Sequence, residues 1–268
     1  MDKSVIDISN SQLLLTYTFV IIAMIITTIN GINRNKEFII SSIRMTVQLF
    51  IAGYVLVYIF DKSSIVLSAL MILLMEFFGV YNIVSNKKKR LNNKIIFIIT
   101  ISQLIGTIFV LIFFLLIVVR PDPFYDPQYL IPLGGMIIGN AMTGIDLALN
   151  QILNAIDSKR VNIEGALMLG ATPRMAMDKI IQESFDTAII PTINKIKNIG
   201  IITLPGMMSG QILSGISPLV AIKYQIAIMT AILSAVTISV FLFLRLGYKK
   251  FFNKQYQLIR NEESELPA

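Results

Sequence analysis

Seven apolar runs dominate this sequence, each near the roughly 20 residues that a helix needs to cross a bilayer core of about 30 Å. They extend over Leu13–Ile29, Phe38–Phe60, Ile65–Val84, Ile95–Val119, Tyr129–Leu149, Ile193–Leu213 and Val220–Leu244. With 55% hydrophobic and 15% charged residues, the chain is too apolar for a soluble domain of 268 residues. The expected fold class is therefore an all-α polytopic membrane protein with about seven transmembrane helices, forming a single domain over residues 1–260 with a polar tail at 261–268. The first run follows a start with little positive charge and shows no small-residue cleavage site, so it reads as a retained span.

The net charge of +7 does not point to nucleic acid, because the basic residues gather in clusters between apolar runs and line no single amphipathic face. One set of loops holds the groups at 34–36, 87–94 (with Lys87, Lys88, Lys89, Arg90 and Lys94), 159–179 and 245–260. The other holds only Lys3, Lys62, Arg120 and Lys223. The positive-inside rule then places the N-terminus outside and the C-terminus in the cytoplasm, which agrees with an odd number of spans. An Asp61–Lys62 turn joins the second and third runs, and Arg120-Pro121-Asp122-Pro123 ends the fourth. Pro205-Gly206 interrupts the sixth, and Lys195 and Lys197 near its start reach the cytoplasmic surface by snorkelling if the helix enters obliquely. Cysteine and histidine are both absent, so any metal chemistry rests on carboxylate, amide, hydroxyl, carbonyl or thioether groups.

The longest polar stretch between apolar runs is Asn154 to Gln182, which carries Lys159, Arg160, Glu164, Arg174, Asp178 and Lys179. Gly170 supplies a helix stop, and Thr172-Pro173 a helix start, since a hydroxyl caps free N–H groups and proline is tolerated at the first helical position. The expectation is two short helices around a tight turn, between spans five and six, with Ala166, Leu167 and Leu169 as an apolar surface beside it.

This segment resembles the cytoplasmic coupling loop of ABC-transporter permeases, whose pattern is Glu-Ala-Ala, three residues, Gly, nine residues, Ile, one residue, Leu-Pro. Glu164, Ala166, Gly170 and Ile180 fall in place, Gly165 stands for the first Ala, and Gln182-Glu183 replaces Leu-Pro. Together with Arg44-Met45-Thr46-Val47-Gln48-Leu49, Gly134-Gly135-Met136-Ile137-Ile138-Gly139-Asn140, Ile190-Pro191-Thr192-Ile193-Asn194 and Leu204-Pro205-Gly206-Met207-Met208-Ser209-Gly210-Gln211, it is similar to the FetB-type permeases, a family linked to iron export. The resemblance covers roughly residues 35 to 245. It implies a permease subunit of the cell membrane that is not itself an enzyme, with Glu164, Gly165, Ala166, Gly170, Ala171 and Thr172 docking on a separate ATPase. It also implies a permease homodimer and outward movement of iron or a related metal. Plant members of that family are associated with aluminium tolerance, so the resemblance leaves the metal open.

No Gly-x4-Gly-Lys-[Ser/Thr] loop occurs, so this chain binds no ATP in the P-loop manner; ATP and Mg belong to the partner. An ABC importer permease for an amino acid or other small solute is the alternative within the class. A gradient-driven secondary transporter is the alternative outside it, although no repeated halves are seen. A membrane scaffold would leave the polar residues inside the spans without a purpose.

Those polar residues are the candidate substrate pathway. Arg44 and Gln48 share a face of the second span. Arg44 lies roughly 12 Å beyond Lys36, and Glu76 roughly 16 Å before Lys87 on the next run, at about 1.5 Å per residue. An unpaired charge at such depth costs at least about 2.5 to 3.5 kcal/mol, so an Arg44–Glu76 ion pair is expected, either fixing helix packing or lining a cation path. In the fifth span Gly135 and Gly139 form a small-xxx-small pair for close helix approach, while Asn140 either bonds a neighbouring helix or faces substrate. Asp146 reads as an interfacial carboxylate at the cytoplasmic end. Met207, Met208 and Gln211 follow the Pro205-Gly206 break, where irregular backbone at membrane depth lines cavities or is buried. Methionine fills apolar gaps more often than it ligates metal, and thioether sulfur suits Cu(I) better than iron, so no metal ligand is assigned.

Overall fold

The computed structural model describes residues 7–85, 87, 90–253 and 255–259. Lys3, Lys88, Lys89, Lys254 and Arg260 of the charge count, and the tail at 261–268, lie outside the described residues. The order of helices is α1 (Asn10–Ile29), α2 (Asn35–Lys62), α3 (Ile65–Ser85), α4 (Asn93–Phe113), α5 (Pro127–Ser158), α6 (Arg160–Met168), α7 (Pro173–Asn198), α8 (Gly206–Leu213) and α9 (Pro218–Gly247). A π-helical turn, Phe114–Val119, prolongs α4, and a 3-10 turn, Tyr248–Phe251, follows α9.

Helix starts follow local chemistry. α5 and α7 each open with a cap residue and a proline at the first helical position, where its missing N–H is not needed. Asp126 accepts from the Gln128 amide and Thr172 from the Met175 amide, satisfying N–H groups that have no partner within the helix. α9 opens with Ser217-Pro218 in the same pattern, although the Ser217 side chain makes no cap bond. The turn after α2 sits one residue later than expected: Asp61 and Lys62 are the last residues of the helix, and Ser63, with φ +39°, makes the turn.

Register is legible from close approaches. Gly106 lies against Ser239, and Ile98 against Gly247, so α4 and α9 are antiparallel. A Cβ on Gly106 would stand 2.0 Å from the Ser239 Oγ and 2.8 Å from its backbone nitrogen, so this crossing requires glycine. Gly134 faces Ile72, and Gly79 faces Ile138, which makes α3 and α5 parallel. Gly144 faces Val236 and Val240, while Tyr129 and Tyr224 meet at the other end, so α5 and α9 are parallel too. The close approaches of α5 are therefore at Gly134 and Gly144. The expected pair is not the contact: Gly135 touches only the Met75 side chain, and Gly139 faces open space.

Lys159 with Glu183, and Asn140 with Lys195, set α7 antiparallel to α5. Its buried positions Met177, Ile180, Ile181, Ser184, Ala188 and Thr192 follow helical spacing and face the bundle. α3, α4, α5, α7 and α9 thus form one bundle with α5 and α9 at its centre, and α1 pairs with α2 beside it. The helix directions gather Lys87, Arg90, Lys94, Lys159, Arg160, Arg174, Lys179, Arg245, Lys249 and Lys250 at one end of the bundle, and Arg120 and Lys223 at the other.

Six of these helices are long and apolar enough to cross a membrane: α1, α2, α3, α4 with its π-helical turn, α5, and α9 with its 3-10 turn. The expected sixth span over Ile193–Leu213 is not one helix. α7 ends at Asn198, Gly200 takes φ +85°, an isolated bridge joins Ile199 to Thr203, and α8 starts only at Gly206. Gly200 and Pro205 break the helical ladder at a point where sequence hydropathy runs on. Because α5 and α9 point the same way, the chain between them must return along their length, and it does so through α7 and then α8.

Candidate functional site

The turn after α5 is the first candidate. α6 runs only nine residues and stops in a Schellman arrangement, with the Ala171 amide donating to the Ala166 carbonyl at 3.0 Å and the Gly170 amide to Leu167 at 3.0 Å. Gly170 has φ +92°, a conformation side chains strain, so the stop depends on glycine. Thr172 then caps α7, which at 26 residues is longer than the expected short second helix. Arg160 holds Glu164 at 2.8 Å, and a Cβ on Gly165 would meet nothing within 4 Å. The apolar surface is larger than expected and differently composed. Leu169 is 91% exposed, Met168 87%, and Val161 and Met175 also project outward, whereas Leu167 is only half-buried.

A groove of about 1000 Å³ runs beside this turn, between Arg160, Glu164, Met168, Thr172 and Arg174 on one wall and Tyr248, Phe252 and Gln257 on the other. The second wall is a hook after α9, closed by a bridge between Phe252 and Leu258 and anchored by burial of Phe251, Phe252 and Leu258. The Arg174 guanidinium stacks over the Tyr248 ring at 5.5 Å, joining the walls. Sequence reading registered this segment only as a basic group, since its hydrophobic anchors are too short a run to stand out. Lys159 bonds Glu183 at 2.7 Å across the base of the turn, and that hydrogen bond holds the Glu183 carboxyl below its usual range.

The second candidate is the set of polar groups inside the spans, and here the expected pair does not form. Glu76 is 3% exposed and accepts hydrogen bonds from Gln103 Nε2 at 2.8 Å and from the Thr107 hydroxyl, both on α4. Arg44 and Gln48 lie exposed on α2, and among the described residues Arg44 has no ion pair. The reason is packing order: α3 packs on α5 and α4, while α2 pairs with α1 and only touches α5, so α2 and α3, although consecutive, do not pack together. Gln103 and Thr107 are not among the expected site residues; their signal in the sequence is two polar residues four apart in the apolar run to Val119. Gln103 Oε1 and the hydroxyls of Ser68, Ser102 and Ser239 are buried without partners among the described residues.

Asn140 does bond a neighbouring helix. Its Nδ2 donates to the Met136 carbonyl at 2.8 Å, and its Oδ1 accepts from Lys195 at 3.1 Å. Asp146 is held by Lys87 and by Asn150, and Arg90 reaches Asp157, so the α3–α4 connection is tied to the lower half of α5. Met207 packs against the core from α8, Met208 is buried beside it in sequence, and Gln211 Oε1 is buried without a partner among the described residues. Among the described residues, no three Asp or Glu side chains cluster as metal ligands.

Residues 10–252 match the family described as "Uncharacterised protein family (UPF0014)". The chain belongs to this family. Among UPF0014 relatives, the "Probable iron export permease protein FetB" of Escherichia coli (strain K12) is 36% identical over 254 residues, 94% of this chain and 96% of that one. YjkA, a UPF0014 membrane protein of Bacillus subtilis (strain 168), is 31% identical over 253 residues, covering 94% and 98%. "Protein ALUMINUM SENSITIVE 3" of Arabidopsis thaliana is 34% identical over 242 residues, covering 89% and 86%. No solved structure matches the chain at a comparable level. This UPF0014 chain is thus a multi-pass membrane permease.

Proposed function

We propose that the chain is the membrane-spanning subunit of an ABC transporter that exports iron or a related metal, with ATP hydrolysed in a separate cytoplasmic ATPase. The observation that carries this is the turn Glu164–Thr172, which presents Met168 and Leu169 almost fully exposed beyond the end of α5. Such side chains at a helix end favour a protein groove as partner, and the Schellman stop gives the turn one shape to dock. Similarity to FetB, over nearly all of both chains, supplies the direction and the iron. The metal is kept as iron or a related one because a plant relative is named for aluminium sensitivity.

On this reading the α7–α8 return is a seventh, broken pass, the N-terminus lies outside, and the basic end of the bundle is cytoplasmic. Two copies face each other across α2, because Arg44, exposed near mid-span with Gln48 one turn on, would cost at least about 2.5 to 3.5 kcal/mol if turned to lipid. They line a hydrated path between the copies. Glu76, Asn140 and the segment Met207–Gln211 mark positions where that path continues when the bundle shifts.

The test is hydrolysis and metal transport by the permease reconstituted with its candidate ATPase. Gly170→Asp, which strains the stop and puts a charge in the docking surface, is expected to lower metal-stimulated hydrolysis at least tenfold. Glu164→Ala is expected to give a smaller loss. Full stimulation and full transport in both variants would sink the reading, and stimulation by an amino acid with a binding protein would favour an importer.

A further inference from the structure

A groove of about 640 Å³ runs between the start of α4 and the end of α9, at the basic end of the bundle. Its lining divides by chemistry along its length. Phe97, Ile98, Ile101 and Leu246 form an apolar strip, with Phe97 63% and Leu246 45% exposed, so the strip is open to whatever surrounds the helices. Lys94, Arg245, Lys249 and Lys250 stand around the end of that strip, and among the described residues no carboxylate lines the groove. Asp186 borders an adjoining cleft shared with Arg245 and Lys249 but pairs with neither, and among the described residues none of the four cations has an ion pair.

The start of α4 adds to this charge, since the positive end of its helix dipole points toward the same end. Asn92 accepts from the Lys94 amide with its side chain and from the Ile95 and Ile96 amides with its carbonyl, which fixes the start of the helix at this end. Four cations with no ion pair among the described residues favour an anion, and an open apolar strip running away from them toward the bilayer favours an alkyl chain. A free phosphate would meet the first requirement and leave the strip bare. An anionic phospholipid meets both.

We propose that this groove binds one anionic phospholipid, its phosphate among Lys94, Arg245, Lys249 and Lys250 and an acyl chain along Phe97, Ile101 and Leu246. The site needs only that α4 and α9 cross the bilayer, so it stands or falls separately from the transport reading. The bound lipid would brace the junction between α9 and the hook that walls the groove beside Glu164–Thr172.

The test uses the full chain in detergent, titrated with phosphatidylglycerol or phosphatidylcholine and read as lipid-bound species by native mass spectrometry. Phosphatidylglycerol is expected to bind at least fivefold more tightly than phosphatidylcholine. Combined Lys94→Gln, Arg245→Gln, Lys249→Gln and Lys250→Gln should abolish that preference, and replacing the three lysines by arginine should keep it. A control with Arg34→Gln and Lys36→Gln, at another basic cluster, should also keep it. Equal loss in this control would overturn the site in favour of diffuse charge. Equal affinity for both lipids would overturn it outright, and displacement of the lipid by millimolar glycerol phosphate would show an anion site with no role for the apolar strip.

Discussion

α2 and α5 have 28 and 32 residues and both are apolar enough to cross a bilayer, yet they sit in opposite surroundings. α5, like α4 and α9, buries 44% of its most apolar stretch against other helices, whereas α2 buries 6% and α1 none. The difference lies in what holds helices together once they are in lipid. Lipid tails are as apolar as leucine, so helices associate through close packing and polar contacts, and the bundle has both. Its closest crossing is backbone against backbone at Gly106 and Ser239, and a carboxylate bridges α3 to α4. α1 and α2 share one side-chain hydrogen bond between helix interiors, Tyr17 with Thr46. Hydropathy reports that a helix enters the bilayer and is silent on what covers it there.

Substitutions can break this contrast. The largest effect is expected from Gly106→Leu, which drives a side chain into the Ser239 backbone; overpacking of this kind costs about 3 kcal/mol at its upper range. Gly53→Leu, at a position of α2 whose Cβ would meet nothing within 4 Å, should stay within about 0.5 kcal/mol. Unfolding by SDS titration in mixed micelles compares the two, and equal losses would mean that the hairpin is packed as tightly as the bundle. Next is Glu76→Ala, which strands the Gln103 and Thr107 donors and is expected to cost about 2 kcal/mol in the same titration. Glu76→Gln, which keeps an acceptor, should cost less; the reverse order would remove the hydrogen-bonded bridge from the account.

A sharper probe of the hairpin comes from the absence of cysteine, which allows single-site labelling without background. Arg44→Cys and Gln48→Cys should react with a charged, membrane-impermeant thiol reagent about tenfold faster than Phe50→Cys, a difference of about 1.4 kcal/mol. Equal rates would place Arg44 and Gln48 against lipid and end the case for a hydrated face. The smallest effect is Tyr17→Phe, which removes the hydrogen bond between the interiors of α1 and α2, leaves the bond from Asn35 to Thr28 at their ends, and should cost about 1 kcal/mol or less. A larger loss would show that α1 is held by more than this contact.

Local signals survived best from sequence to structure. Gly170 and Thr172-Pro173 marked the stop and start that bound the turn, because caps depend on a few adjacent residues. Glu76 stood out as a charge in an apolar run, but its partners did not, since helical spacing says which residues share a face and not which helix lies opposite. Pairing consecutive spans assigned it to Arg44, whereas the fold assigns it to Gln103 and Thr107. The run Ile193–Leu213 read as one span because hydropathy averages over Gly200 and Pro205, where the helix ends. The hook at Tyr248–Leu258 depends on burial of three side chains by distant elements, which no pattern within it announces.

α5 carries one further consequence. Its 32 residues make a continuous rod of about 48 Å that begins beside α9 at Tyr129 and ends where Glu164–Thr172 protrudes. A stiff rod is a lever. Tilting it by about 5° about its middle moves the protruding turn by about 2 Å one way and the far end by about 2 Å the other, so any displacement of the turn is mirrored at the opposite end of the helix.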